Sequence, residues 1–306
     1  MTSMPIQNDP LQLLFDGHCL PTLIQGITGR MGQRHAALMT EYGTKIVGGV
    51  TTKSIDTQKA GAQALYTSCA EAVLETGAVA SVVMVPAFDV KQAVIEAVNA
   101  GVQLIVSVTE GVPVHDAVYV KNLVNESGVR WVGASTPGLA VPGFMKLGFI
   151  PDASLRRGKI GVMAKSGTLS YEVNLRLVQA GLGQSVWVGV GGDPVKGTRF
   201  SDLLPYFLRD PDTEQVLVIG EVGGDEEEEL AEMLRSLSVQ KPVHALVAGR
   251  SVRDGQVMGH AGAVVRGNAG TYSSKVAALR NSGVQVSTSI DDLVAGILTS
   301  CVVSPV

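Results

Sequence analysis

Short, uninterrupted apolar runs alternate along this chain with longer stretches of helical period. Thr22–Gln25, Lys45–Val50, Ala80–Val85 and Leu104–Val108 read as strands, with helices between them at Gln33–Tyr42 and Asp89–Ala100. Runs that are apolar throughout, rather than at alternate positions, belong to strands covered on both faces. The pattern therefore predicts a parallel, doubly wound sheet of βαβ units. After a Gly/Pro-rich stretch, Gly133–Pro151, the rhythm restarts with strands at Lys159–Ala164, Ser185–Val190, Gln215–Ile219 and Val243–Val247. Helices are expected at Thr168–Ala180, Glu226–Ser236 and Ser273–Ser282. The expected fold class is α/β in two domains, 1–150 and 151–306, both with mostly parallel sheets. No sequence period relates the halves.

Composition narrows the classes of function. A chain of 306 residues exceeds one small core, which agrees with two domains. Apolar residues make up 45% and charged residues only 17%, so part of the surface is expected to be covered by another subunit. The net charge of −4 comes without a basic cluster, which argues against nucleic acid as a partner. The first twenty residues lack the basic start and apolar core of a secretory signal, and no apolar run is long enough to span a bilayer. A soluble protein of the bacterial cytosol, without membrane association, is expected. Cys19, Cys69 and Cys301 form no CxxC pair and no metal-ligand spacing, so no metal site is expected.

Glycines collect at the strand ends, where α/β folds hold ligands. Gly26-Ile27-Thr28-Gly29-Arg30-Met31-Gly32 joins the first strand to the first helix, which would let the backbone approach a phosphate at the helix N-terminus. A tight βα turn without ligand is the plain alternative. A dehydrogenase wants an acidic residue at the end of the second strand, but here that strand runs on to Thr51-Thr52-Lys53. A lysine favours a phosphorylated ribose, so CoA and NADP both qualify. Lys165-Ser166-Gly167-Thr168 ends a strand and opens a helix. Ser166, Gly167 and Thr168 make a candidate phosphate seat or else an ordinary N-cap, with Glu172 read in a capping role. No GxxxxGK[ST] sequence occurs, so a phosphate bound there need not belong to a nucleotide.

Met258-Gly259-His260-Ala261-Gly262-Ala263 sets a histidine among small residues that would let another group approach the ring. On chemistry alone His260 is either structural or a nucleophile. Glu221, in Ile219-Gly220-Glu221-Val222-Gly223-Gly224, ends a strand and could hold one imidazole nitrogen so that the other becomes nucleophilic. The run Asp225–Glu229 reads as a solvated first helical turn, and Gly191-Gly192-Asp193-Pro194 as a turn.

Together these segments resemble the α subunit of succinyl-CoA synthetase. The resemblance runs through Gly26–Gly32, Lys45–Thr51, Val85-Pro86-Ala87, Val108-Thr109-Glu110-Gly111, Ser166–Glu172, Gly189–Gly197, Gly220–Gly224 and Gly259–Ala263, and covers residues 20–285. It implies a Rossmann-like CoA-binding domain followed by a flavodoxin-like ligase domain, with His260 as the phosphorylated residue and Glu221 as its orienter. CoA would meet Gly26, Thr28, Gly29, Arg30, Met31, Gly32, Thr51, Lys53, Val85, Pro86, Val108, Thr109, Glu110 and Ser135. A small carboxylic acid would meet Ser135, Thr136 and Tyr171. ATP or GTP, with Mg2+, would belong to an ATP-grasp β subunit in an αβ or α2β2 assembly. Two departures stand out. Gly133-Ala134-Ser135-Thr136-Pro137-Gly138 replaces the family's Gly-Pro-Asn-Cys-Pro-Gly, and Lys53 is displaced by one position in a loop lacking Pro-Gly-Lys-Gly-Gly. An NADP-linked oxidoreductase and a non-catalytic CoA-binding protein are the rival readings.

Overall fold

The computed structural model describes residues 9–51, 64–238, 241–252, 259–265 and 270–303. The chain divides into two compact units, Met1–Phe149 with Val195–Gly197, and Ile150–Pro194 with Thr198–Val306. Among the described residues no helix is long and apolar enough to cross a membrane.

In the first unit β1 (Thr22–Gln25), β2 (Ile46–Val50), β3 (Leu65–Tyr66), β4 (Ala80–Val83), β5 (Leu104–Ser107) and β6 (Arg130–Gly133) form one parallel sheet in the order β3-β2-β1-β4-β5-β6. β1, β4 and β5 are buried at every position, as their continuous apolar runs require. The helices are α1 (Pro10–Phe15), α2 (Arg30–Tyr42), α3 (Cys69–Thr76), α4 (Val90–Asn99) and α5 (Val114–Ser127). α3, α4 and α5 pack in succession and send Ala72, Val94, Ala97 and Val120 into one core with Leu23, Ile105 and Trp131. The strand order reverses between β1 and β4, so right-handed crossovers carry α2 and α4 to opposite faces.

The second unit repeats the principle with a different order. β9 (Arg157–Ala164), β10 (Gln184–Gly189), β11 (Gln215–Glu221), β12 (Val243–Ala248) and β13 (Gln285–Ser287) lie parallel in the sequence β13-β12-β11-β9-β10. That is the flavodoxin-like order, with its reversal between β9 and β11. The helices are α6 (Gly167–Gln179), α7 (Phe200–Arg209), α8 (Glu226–Ser236), α9 (Tyr272–Asn281) and α10 (Ile290–Val303). α7 packs on α8 and α8 on α9, whereas α10 packs on α6. Trp187, Phe200 and Phe207 are the largest apolar side chains of this core.

Three differences from the pattern read in the sequence stand out. β4 stops at Val83, so Met84, Val85 and Pro86 leave the sheet. β11 continues two residues past Ile219, because Gly220 and Glu221 keep pairing with Val247 and Ala248. The stretch 133–151 is more than a connection: β7 (Gly138–Val141) and β8 (Met145–Gly148) form an antiparallel hairpin buried along both strands. Its four-residue strands carry alternating Leu139, Val141, Met145 and Leu147, a pattern too short to stand out among prolines and glycines.

His244 on β12 is 1% exposed, and its Nε2 lies 2.9 Å from Gln215 Oε1. The amide oxygen can only accept, so Nε2 carries the proton and donates. Burial pulls the pKa of the ring down to about 4. The unfolded chain, with an ordinary histidine near 6.5, takes up its proton first as the medium is acidified. The neutral ring's contribution to stability is therefore complete above about pH 6.5 and is lost as the pH falls toward 4. In denaturant unfolding across this range, the native chain should lose stability relative to His244→Gln. Parallel curves would contradict the assignment.

Candidate functional site

At the reversal of the first sheet lies a cavity of about 700 Å³. Gly26, Thr28, Gly29, Arg30, Met31, Gly32, Thr51, Val85, Pro86, Val108 and Thr109 all line it, so eleven residues singled out in the sequence converge on one site. α2 begins there with Gly29 as an N-cap that makes no side-chain capping bond, which leaves the first-turn amides to an incoming anion. The helix start is pressed against the preceding turn: a Cβ on Gly32 would fall 2.3 Å from the Gly26 carbonyl oxygen, so only glycine fits. Thr28 and Thr51 share a hydrogen bond between their hydroxyls at 3.0 Å, and the Thr109 hydroxyl donates to the Val85 carbonyl at 2.7 Å. The first bond ties the loop after β2 to the Gly26–Gly32 turn, and the second ties the loop after β5 to the one after β4.

α4 supplies a wall that sequence reasoning missed. Asp89, Gln92, Ala93 and Glu96 all line the cavity. Their spacing of three, four and seven residues is one helical face, and that mixed polar and small stripe was the available signal. Glu110 is exposed and Ser135 half-buried, and neither lines this cavity. Ser135 instead takes a positive φ of 56°, with its N–H bonded to the Thr109 carbonyl at 3.0 Å. Thr136 is 2% exposed and accepts the Gly138 N–H through its hydroxyl, which makes it part of the turn. Lys53 lies outside the described residues.

At the reversal of the second sheet, β11 ends on Glu221, whose side chain is 5% exposed. Its carboxylate Oε2 lies 2.8 Å from Nδ1 of His260, which comes from the loop after β12 and is 25% exposed. The carboxylate can only accept, so Nδ1 carries the proton and the lone pair is assigned to Nε2. Gly192, read from sequence as part of a turn, forms the floor of the ring. A Cβ there would fall 2.3 Å from the imidazole Cγ, and the Gly192 carbonyl accepts the Gly262 N–H at 3.0 Å.

Ser166 is the N-cap of α6, accepting the Leu169 N–H at 3.3 Å. The cap is this hydroxyl and not Glu172, which lies too far into the helix to reach its first amides. Gly167 is half-buried and Thr168 exposed, at the uncovered end of α6. Tyr171, one turn on, packs edge-on against Trp187 with ring centroids 6.0 Å apart, and burial pushes its hydroxyl up to about 12.

The acidic run opening α8 is not a solvated turn. Asp225 and Glu229 reach outward to Arg199, but Glu226 is 3% exposed and Glu227 wholly buried. Glu227 Oε2 lies 2.9 Å from Lys165 Nζ and also bonds Lys275, while Oε1 accepts the Glu221 backbone N–H at 3.0 Å. Burial alone would raise the pKa of Glu227, but the two ammonium groups overcome it and hold the carboxyl down at about 2. For Lys165 burial likewise opposes charge, and Glu227 and Glu226 outweigh it to raise the ammonium above its ordinary value. Arg199 on one flank and Lys275 beneath supply the counter-charge that local sequence could not reveal.

Comparison with known proteins follows the same division. Residues 20–111 match the family described as CoA binding domain, and residues 163–285 the family described as CoA-ligase. The chain is 43% identical over 272 residues to a succinate–CoA ligase [ADP-forming] subunit alpha 1 of Archaeoglobus fulgidus, covering 89% of this chain and 92% of that one. It is 45% identical over 266 residues to the corresponding alpha subunit of Aquifex aeolicus, covering 86% and 87%. In fold it resembles ATP citrate lyase from Methanothrix soehngenii, solved with citrate and coenzyme A, with a TM-score of 0.78 at 20% identity. That likeness covers 94% of this chain and 51% of the longer one, so the present chain spans about half of it. A dinucleotide forming acetyl-coenzyme A synthetase from Ca. Korarchaeum cryptofilum is similar at a TM-score of 0.73 and 21% identity, over 93% of this chain and 61% of that one. With its CoA-binding domain first and its CoA-ligase domain second, the chain belongs to the family of succinate–CoA ligase α subunits.

Proposed function

We propose that this chain is the α subunit of a cytoplasmic, nucleotide-dependent acid:CoA ligase that works through a phosphohistidine at His260. The observation that carries the reading is the 2.8 Å contact between Glu221 and His260 Nδ1, which leaves Nε2 as the nucleophilic nitrogen. In the proposed sequence Nε2 attacks the γ-phosphorus of ATP or GTP held with Mg2+ on an ATP-grasp β subunit, and the nucleoside diphosphate departs. A carboxylate oxygen of succinate or a related small acid then takes the phosphoryl group, releasing the imidazole and forming an acyl phosphate. The CoA sulfur attacks the acyl carbon, and inorganic phosphate leaves. The amides of Gly167 and Thr168 at the start of α6 are proposed to stabilise the transferring phosphoryl group, which depends chiefly on electrostatic positioning. CoA, favoured over NADP by the family, is assigned to the cavity around Gly26–Gly32, with Lys53 near its 3′-phosphate. Ser135, Thr136 and Tyr171 are proposed to bear on the choice of acid.

Turnover and binding measurements test this reading. Without a β subunit the purified chain should form no acyl-CoA from acid, nucleotide and CoA, and turnover by the lone chain would refute the division of labour. With the partner, His260→Ala should abolish turnover, whereas Glu221→Gln should keep CoA binding and slow phosphoryl transfer by roughly 10²–10⁴-fold, the scale for losing a positioned group. Gly192→Ala should resemble Glu221→Gln, because the new methyl displaces the ring from its carboxylate; wild-type rates in either would oppose the assignment. In the other unit, Gly32→Ala should introduce about 1–3 kcal/mol of overpacking at the helix start. Calorimetric titration should then find CoA bound roughly tenfold more weakly, and unchanged affinity would remove CoA from this cavity.

A further inference from the structure

The backbone that carries Glu221, whose carboxylate meets His260, is held by a buried charge cluster. Glu227, Lys165 and Lys275 are 0%, 5% and 0% exposed at their side chains, although they come from α8, the end of β9 and α9. Each also grips the segment that carries Glu221. Glu227 Oε1 accepts the Glu221 N–H at 3.0 Å, Lys275 Nζ donates to the Gly224 carbonyl at 3.0 Å, and Lys165 Nζ approaches the Gly223 carbonyl at 3.5 Å. The fit is close: a Cβ on Gly220 would fall 2.5 Å from Glu227 Oε1, so the carboxylate lies flush on the end of β11. Gly223 in turn bears the histidine loop, since a Cβ there would fall 2.4 Å from the Gly262 carbonyl oxygen. A shift of residues 221–224 therefore moves Glu221 and the loop of His260 together.

Stability alone is a weak reason for such a cluster. An ion pair taken out of water gains little over apolar side chains of the same volume, because desolvation offsets the attraction between the charges. What apolar residues cannot supply is an acceptor for the Glu221 N–H and donors for the Gly223 and Gly224 carbonyls. We propose that Glu227, clamped by Lys165 and Lys275, is a positioning residue for the His260 site, setting where β11 ends and so where the Glu221 carboxylate meets the imidazole. The proposal rests on the phosphohistidine reading above, and its test keeps the two apart.

Two readouts are needed. The first is the ¹⁵N spectrum of the histidine rings of the full chain, with the His260 signals assigned from His260→Ala. The second is the rate of acid-labile phosphoryl incorporation by the chain with its β subunit, ATP and Mg2+. Glu227→Gln should convert His260 from one Nδ1–H tautomer to a mixture and slow phosphorylation about 10²-fold, the scale of a misplacement near 1 Å, while the KM for ATP stays unchanged. A single tautomer and a native rate in Glu227→Gln, with His260→Ala unlabelled, would overturn the positioning role and leave the phosphohistidine standing. Full labelling of His260→Ala would instead sink the reading beneath it. If Glu227→Gln leaves its two lysines too poorly paired to fold, the apolar combination Lys165→Met, Glu227→Leu and Lys275→Met decides. It should fold, melt near the native temperature and still phosphorylate slowly. A native rate in that variant would reduce the cluster to a structural filler.

Discussion

Where the strand order of a parallel sheet reverses, the helices that follow two neighbouring strands must leave on opposite faces, and the carboxyl edge between them stays uncovered. Both units obey this constraint, and their candidate sites follow from it. In the first, β1 and β4 part at Gly26 and Met84, and the cavity opens between them. In the second, β9 and β11 part, one ending beside Ser166 and the other on Glu221. The residues with chemistry to offer are those that a reversal leaves at an edge. Helix starts at the same edge add unpaired amides and a positive dipole end, which suits both sites to phosphate groups.

The two sites solve the problem of charge differently. The first presents backbone, hydroxyls and an exposed Arg30 to a ligand from water, and its precision comes from close packing at Gly32. The second sets an imidazole against a carboxylate that fixes its tautomer. Glu221 is buried, and a buried anion needs its own fixed surroundings. Its backbone N–H is held by a second carboxylate, Glu227, whose charge survives burial because two ammonium groups flank it. Its location in the first turn of α8, where the helix dipole favours an anion, contributes in the same direction.

Much of this was legible in the sequence. The four strands read in the first half correspond to β1, β2, β4 and β5, and the Gly26–Gly32 turn stood out because glycine spacing reports backbone approach directly. Glu221 and His260 were also visible, one as an acid at a strand end and the other as a histidine among small residues. Glu227 was not, because an acidic run at a helix start looks solvated whatever lies behind it. Its partners are 62 and 48 residues away, beyond any local pattern. Gly192 was hidden for the same reason: a glycine in a turn and a glycine beneath a ring differ only in tertiary contact. The β7–β8 hairpin failed on length, with strands too short for alternation to rise above the surrounding prolines and glycines.

The central claim is that His260 carries a phosphoryl group, and locating that group tests it most directly. The chain should be incubated with its β subunit, nucleotide and Mg2+, then digested and mapped at neutral to alkaline pH, where a phosphoramidate survives. The account predicts one acid-labile, base-stable phosphate, on the peptide containing His260 and at its imidazole. A stable phosphate on any other residue, or none on His260 while the enzyme turns over, would contradict it.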